Sequence, residues 1–157
     1  MTDRTDAPHI LVVEARFYED IADQLAQGAS AELERQGASF ERVSVPGGFE
    51  IPAAIQMGVR SMEFYAARRR FDGYIALGCV IRGETSHYDI VANESARAIM
   101  TLAIEKGLAV GNGILTVENR DQALVRAGTR DKDKGGVAAA AAFEMAVQRK
   151  HFALRNA

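Results

Sequence analysis

The sequence predicts an α/β domain in which a parallel sheet is covered on both faces by helices. Three observations predict it. Strand-like and helix-like segments alternate along the 157 residues. At least three strand segments are short and nearly all apolar, as strands buried on both faces must be. The length fits one domain better than two and allows a sizeable core.

The elements follow in order. Residues 1–8 are polar and are expected to fray, leaving 9–157 as a single domain. His9 to Glu14 (HILVVE) is apolar and rich in β-branched residues, a buried strand. From Asp20 to Gln36 the apolar residues Ile21, Leu25, Ala29 and Leu33 recur every four positions, one face of a helix that Gly37 closes. Phe40 to Val45 alternates apolar and polar residues, a second strand. Pro46-Gly47-Gly48 makes a turn, and Pro52 suits the first turn of a helix reaching about Arg69. Gly73 to Val80 (GYIALGCV) is a third strand. Residues 88–106 read as a helix closed by Gly107, and Ala109 to Val117 as a fourth strand. A short helix near 121–127 and a polar loop precede an Ala-rich terminal helix from Val137 onward. Parallel neighbours require right-handed crossovers.

Composition narrows the function. With 48% hydrophobic and 25% charged residues, the chain is an ordinary globular mixture. Nineteen basic and twenty-one acidic residues leave a formal charge of −2, which argues against broad nucleic-acid or anionic-membrane binding. A small anion held by a few local charges is not excluded. The lone cysteine, Cys79, excludes an intrachain disulfide and a cysteine-rich metal site and fits a reducing compartment. The first residues lack the apolar segment of a secretory signal, and no run of about 18 apolar residues spans a membrane. The cytoplasm is the expected location.

Ligands of such sheets bind beyond the carboxyl ends of the strands. After the third strand comes Ile81-Arg82-Gly83-Glu84-Thr85-Ser86-His87-Tyr88-Asp89. Ser86 and Asp89 have capping-box spacing, so Ser86 is expected to start the next helix and residues 84–86 to offer N–H groups to a phosphate. His87 then falls in the first helical turn, where an imidazole can move a proton near neutral pH; it also reads as a solvated histidine. After the second strand, Gly47 and Gly48 let a ligand approach the backbone, and Glu50 either accepts sugar-like hydroxyls or offsets a helix dipole. After the first strand, Phe17 and Tyr18 either stack a planar heterocycle or serve the core or a subunit interface. Arg126 to Gly136 crowds four cations into nine residues between glycines, either an anion site or a solvated loop whose charges cancel. The Asp131-x-Asp133 spacing is not an EF-hand. Arg68-Arg69-Arg70 reads as dipole compensation at a helix end, and Cys79 as a buried small hydrophobe.

Other motifs are absent. There is no G-x-x-x-x-G-K-[ST], no G-x-G-x-x-G after the first strand and no G-x-S-x-G. His9, His87 and His151 lie far apart with no zinc spacing.

Taken together, Ala15-Arg16-Phe17, Val45 to Pro52 (VPGGFEIP), Gly78 to Asp89 (GCVIRGETSHYD), Asn93-Glu94, Gly113 to Thr116 and Arg126-Ala127-Gly128 resemble the 6,7-dimethyl-8-ribityllumazine synthase family. The resemblance covers nearly the whole chain in order. It implies a flavodoxin-like three-layer sandwich with a four-stranded parallel sheet, in the α/β class. It also implies a homo-oligomer, a pentamer or assembly of pentamers, with each active site shared between adjacent subunits. The implied reaction joins 5-amino-6-(D-ribitylamino)uracil to 3,4-dihydroxy-2-butanone 4-phosphate, releasing phosphate and water, with no metal or organic cofactor. By the same resemblance Phe17 stacks on the pyrimidine, Gly48, Phe49 and Glu50 contact the ribityl chain, and Cys79, Val80 and Ile81 bind the pyrimidine through backbone groups. Asn112 faces the pyrimidine, Glu84 and Thr85 cradle the phosphate, His87 donates the proton, Arg126 grips phosphate from the adjacent subunit, and Lys134 assists. Gly48 stands where the family usually has alanine, Tyr18 where asparagine is common, Asn112 where some members have an aromatic, and Cys79 where threonine or alanine is frequent. Two other classes fit the fold: a binding or shell protein that has lost turnover, and a phosphosugar enzyme indifferent to the ribitylaminouracil. An assay for the fluorescent lumazine separates them.

Overall fold

A computed structural model describes residues 6–64 and 69–152. Four strands, β1 (His9–Ala15), β2 (Ser39–Val45), β3 (Gly73–Ile81) and β4 (Val110–Val117), form one sheet in the order β2-β1-β3-β4 with every pair parallel. The helices are α1 (Glu19–Arg35), α2 (Ile51–Phe64), α3 (His87–Lys106), α4 (Arg120–Ala127) and α5 (Lys134–His151). A single 3-10 turn, Gly48–Glu50, leads into α2. The result is a flavodoxin-like three-layer sandwich.

The period of two along the strands divides the core. Ile10, Val12, Ile75, Leu77, Leu115 and Val117 face one side and meet Ile21, Leu25 and Leu33 of α1, Ala123 and Ala127 of α4, and Ala138, Ala139 and Ala142 of α5. Leu11, Val13, Tyr74 and Ala76 face the other and meet Ile51, Ile55, Val59 and Met62 of α2 and Ile99 of α3. Strands so placed are buried at every position, as β1 is. Glycines in β4 let α5 lie close. A Cβ at Gly111 would stand 1.9 Å from the Ala138 carbonyl oxygen, and one at Gly113 2.8 Å from Leu77.

β2 forms where its alternation predicts a strand, at the sheet edge with most of its side chains exposed. Other expectations needed correction. α5 begins at Lys134, three residues before Val137. Asp133, in the left-handed region at φ 42°, caps it by accepting from the Gly136 N–H, and Gly135 and Gly136 fit against the backbone of Leu25 and the Asp133 carboxylate. Ser86 precedes α3 but makes no capping-box bond. Its backbone is already helical (φ −71°, ψ −2°) and not in the extended conformation from which an N-cap side chain bonds the first turn. Of the basic run, Arg70 donates to the Met62 carbonyl in the last turn of α2 and Arg69 to the Ala7 carbonyl. Arg68, and with it the expected extension of α2 toward Arg69, lies outside the described residues. No described helix is long and apolar enough to cross a membrane.

Candidate active site at the carboxyl edge of the sheet

Three strands end side by side and their following segments enclose one cavity of about 400 Å³. β1 delivers Phe17 and Tyr18, β2 delivers Gly47, Gly48, Phe49 and Glu50, and β3 delivers Cys79, Val80 and Ile81. The loop into α3 adds Gly83 and Thr85, and the first turns of α3 add His87, Tyr88 and Val91. Position at the strand ends follows from topology: each right-handed crossover leaves the sheet at its carboxyl edge, where helix N-termini gather.

The lining is mostly apolar with a few polar groups. Phe17 is 74% exposed and its ring meets Tyr18 edge-on, at 4.9 Å between centroids. Phe49 is also exposed. The Glu50 carboxylate lies beside Gly47, where a Cβ would stand 3.2 Å from its Oε2. Cys79 is half-buried, and burial pushes its thiol up to about 11 against a small opposing pull from Arg120, so it stays neutral at physiological pH. The His87 backbone N–H donates to Thr85 Oγ1 at 3.3 Å, which ties the loop to the helix start. Arg82 braces the same region. It pairs with Glu118 beyond β4 (2.9 Å) and Asp89 in α3 (3.3 Å), and its guanidinium lies 4.2 Å from the Tyr88 ring centroid. Asp89, expected in a capping box, is held by Arg82 instead.

Phe17, Gly48, Phe49, Glu50, Cys79, Val80, Ile81, Thr85 and His87 thus come together. Tyr88 and Val91 join them; Val91 was signalled by its place four residues on from His87 on the same helical face, whereas Tyr88, one residue on, carried no such signal. The remaining candidates do not line this cavity. Glu84 is exposed on the same loop. Asn112 pairs with Ala76 on β3, three residues and about 10 Å short of Cys79, and its Oδ1 accepts from the Ile114 N–H at 3.0 Å. Arg126 is half-buried at the end of α4 and donates to the Gln122 carbonyl at 3.1 Å. Lys134 is exposed at the start of α5. α4 and α5 cover one face of the sheet and α3 packs on the other. Within one chain the sheet therefore stands between Arg126 and His87.

Residues 7–150 match the family model described as 6,7-dimethyl-8-ribityllumazine synthase. The chain belongs to that family. It is 53% identical over 152 residues to a 6,7-dimethyl-8-ribityllumazine synthase of Bartonella tribocorum, covering 97% of each chain. It is 55% identical over 138 residues to the synthase of Agrobacterium fabrum, covering 88% of this chain and 92% of that one. A protein of Rhizobium meliloti called 6,7-dimethyl-8-ribityllumazine synthase 1 is 57% identical over 137 residues, 87% of this chain and 88% of the relative. Membership makes the chain an enzyme of riboflavin biosynthesis, a transferase.

Proposed function

We propose that the cavity at the sheet's carboxyl edge is where this chain condenses 5-amino-6-(D-ribitylamino)uracil with 3,4-dihydroxy-2-butanone 4-phosphate to give 6,7-dimethyl-8-ribityllumazine. One observation carries the assignment: nine of the thirteen candidate residues, drawn from three strand ends and a helix start, line a single cavity of about 400 Å³, the size of a small-molecule site. Phe17 stacks on the pyrimidine, Cys79 to Ile81 offer backbone groups to it, and Gly48 to Glu50 take the ribityl chain. Thr85, with Glu84 on the same loop, cradles the phosphate at the start of α3. An amine of the uracil attacks the ketone and expels a first water to form an imine. Phosphate leaves, the side chain swings round, and the second amine closes the ring with loss of water. These are additions and proton transfers between reactive partners, so holding two substrates in register supplies most of the acceleration. His87 moves the protons.

The phosphate grip is completed by a second copy. Arg126 and Lys134 do not line the cavity and their helices pack on the face of the sheet opposite α3, which supports a neighbouring subunit as their source. Asn112, on the β4 edge, serves the neighbour's pyrimidine in the same way. The working form is a homopentamer or an assembly of pentamers, and its place is the cytoplasm, which suits the lone thiol. Solvent-facing Met57, Phe64, Met100 and Ile104 on α2 and α3 supply apolar surface for such contacts.

Complementation tests both claims. His87→Ala lowers kcat by about 10²-fold with little change in KM. Arg126→Ala raises KM for the butanone phosphate and leaves KM for the uracil unchanged. Co-assembling the two variants rebuilds intact sites in about a quarter of positions when each site draws on two copies. Recovery of lumazine fluorescence to that level supports the shared site, and no recovery refutes it.

A further inference from the structure

A carboxylate behind the site has no place in the reaction above. Glu14, on β1, is 2% exposed. Burying a charge is costly unless its hydrogen bonds are made. Here two arginines make them. Arg42 of β2 donates through Nε at 2.7 Å and Nη2 at 3.1 Å, and Arg16 donates through Nη1 at 2.6 Å. Arg42 crosses between strands whose register the backbone ladder already fixes. Arg16 does something different. Its Nη2 donates to Asp23 on α1, so one planar guanidinium spans from the end of β1 to the second turn of α1.

The chain between those two anchors is the loop that carries Phe17. Tyr18, the N-cap of α1, makes no side-chain cap bond, so capping does not hold the loop. Phe17 is largely exposed and its described ring contact is an edge contact with Tyr18, so the core does not hold it either. We infer that Glu14 is a positioning residue: by fixing Arg16, it sets the angle at which the Phe17 ring meets the pyrimidine. The inference rests on the reading of Phe17 given above. The two arms of the carboxylate reach different segments: Arg42 lies within β2 at the sheet edge, whereas Arg16 directly precedes Phe17 in the chain.

The test is steady-state kinetics on Arg16→Gln, Arg42→Gln and Phe17→Ala, with thermal unfolding of each. Arg16→Gln leaves Glu14 paired with Arg42, so the protein stays folded. It raises KM for the ribitylaminouracil about tenfold while KM for the butanone phosphate holds. Arg42→Gln lowers the unfolding temperature and keeps both KM values within about twofold. Glu14→Gln, where it folds, shows both effects. An unchanged uracil KM in Arg16→Gln, or an equal rise in Arg42→Gln, overturns the inference. Phe17→Ala distinguishes the two levels of failure. If it raises the uracil KM and Arg16→Gln does not, the positioning inference alone fails. If it leaves that KM unchanged, the reading of the site fails and takes the inference with it.

Discussion

Replacing Gly48 with alanine is the same chemical change as replacing Gly111 with alanine, and the structure gives the two opposite signs. At Gly48 an added Cβ stands 3.6 Å from Val91 Cγ1 and 3.7 Å from Val80 Cγ2, ordinary contact distances. The backbone there is not left-handed; among the described glycines only Gly37 and Gly107 have positive φ. The methyl group therefore makes ordinary contacts on the cavity wall without a clash and restricts the unfolded chain, a gain of about 0.4–1 kcal/mol. For a chain of about 150 residues, 1 kcal/mol moves the midpoint by about 2–4 °C, so Gly48→Ala raises it by about 1–4 °C. At Gly111 the added Cβ stands 1.9 Å from a backbone carbonyl oxygen on α5. No side chain can rotate to relieve that contact, so α5 must shift. Overpacking of this kind costs about 1–3 kcal/mol, a fall of about 2–12 °C. Calorimetry at one fixed protein concentration measures both variants, because self-association would make the midpoint depend on concentration. A lower midpoint for Gly48→Ala, or an unchanged one for Gly111→Ala, refutes the packing argument. In kinetics Gly48→Ala keeps or lowers KM for the ribitylaminouracil, because a tighter loop costs less to order on binding.

Two further predictions concern titration. Burial alone would push the Glu14 carboxyl up, but the hydrogen bonds and charges of Arg42 and Arg16 outweigh it and hold the group below the ordinary glutamate value of 4.5. A depressed folded-state pKa contributes stability that is fully present above 4.5 and is lost as pH falls through the lower folded value. Urea unfolding of Glu14→Gln beside the parent should therefore show a gap that is wide at pH 7 and narrows below 4.5; a pH-independent gap would contradict the ion-pair account. Cys79, with its thiol raised to about 11, should alkylate slowly. About one thousandth is thiolate at pH 8, so the rate climbs about tenfold per pH unit, and ribitylaminouracil slows it by filling the cavity that Cys79 lines. A rate that levels off near pH 8 would mean that the thiol is activated.

How far the residues alone could be read depends on the range of the forces involved. Strand and helix positions were legible because burial on one or two faces writes a period into the chain: β1 and β3 read as continuous apolar runs, and α1 as a four-residue repeat. The start of α5 was misplaced because a single dihedral decides it: Asp133 adopts a left-handed conformation and begins the helix early. Ser86 stands at the start of α3 as its spacing predicts, but its helical backbone leaves the capping-box bond unmade. The edge position of β2 was invisible because alternation in a strand does not say how many neighbours it has.

The sequence by itself determined the alternation of elements and, through the block from Gly78 to Asp89, the family and its chemistry. Both are written in residues close together along the chain, where period and spacing act directly. Only the tertiary structure decided that Phe17, Glu50 and His87, from separate crossovers, share one cavity, that Glu14 joins two arginines, and that Arg126 lies across the sheet from His87. Those relations depend on which strand lies beside which, and strand order is set by packing the whole core at once rather than by any local stretch.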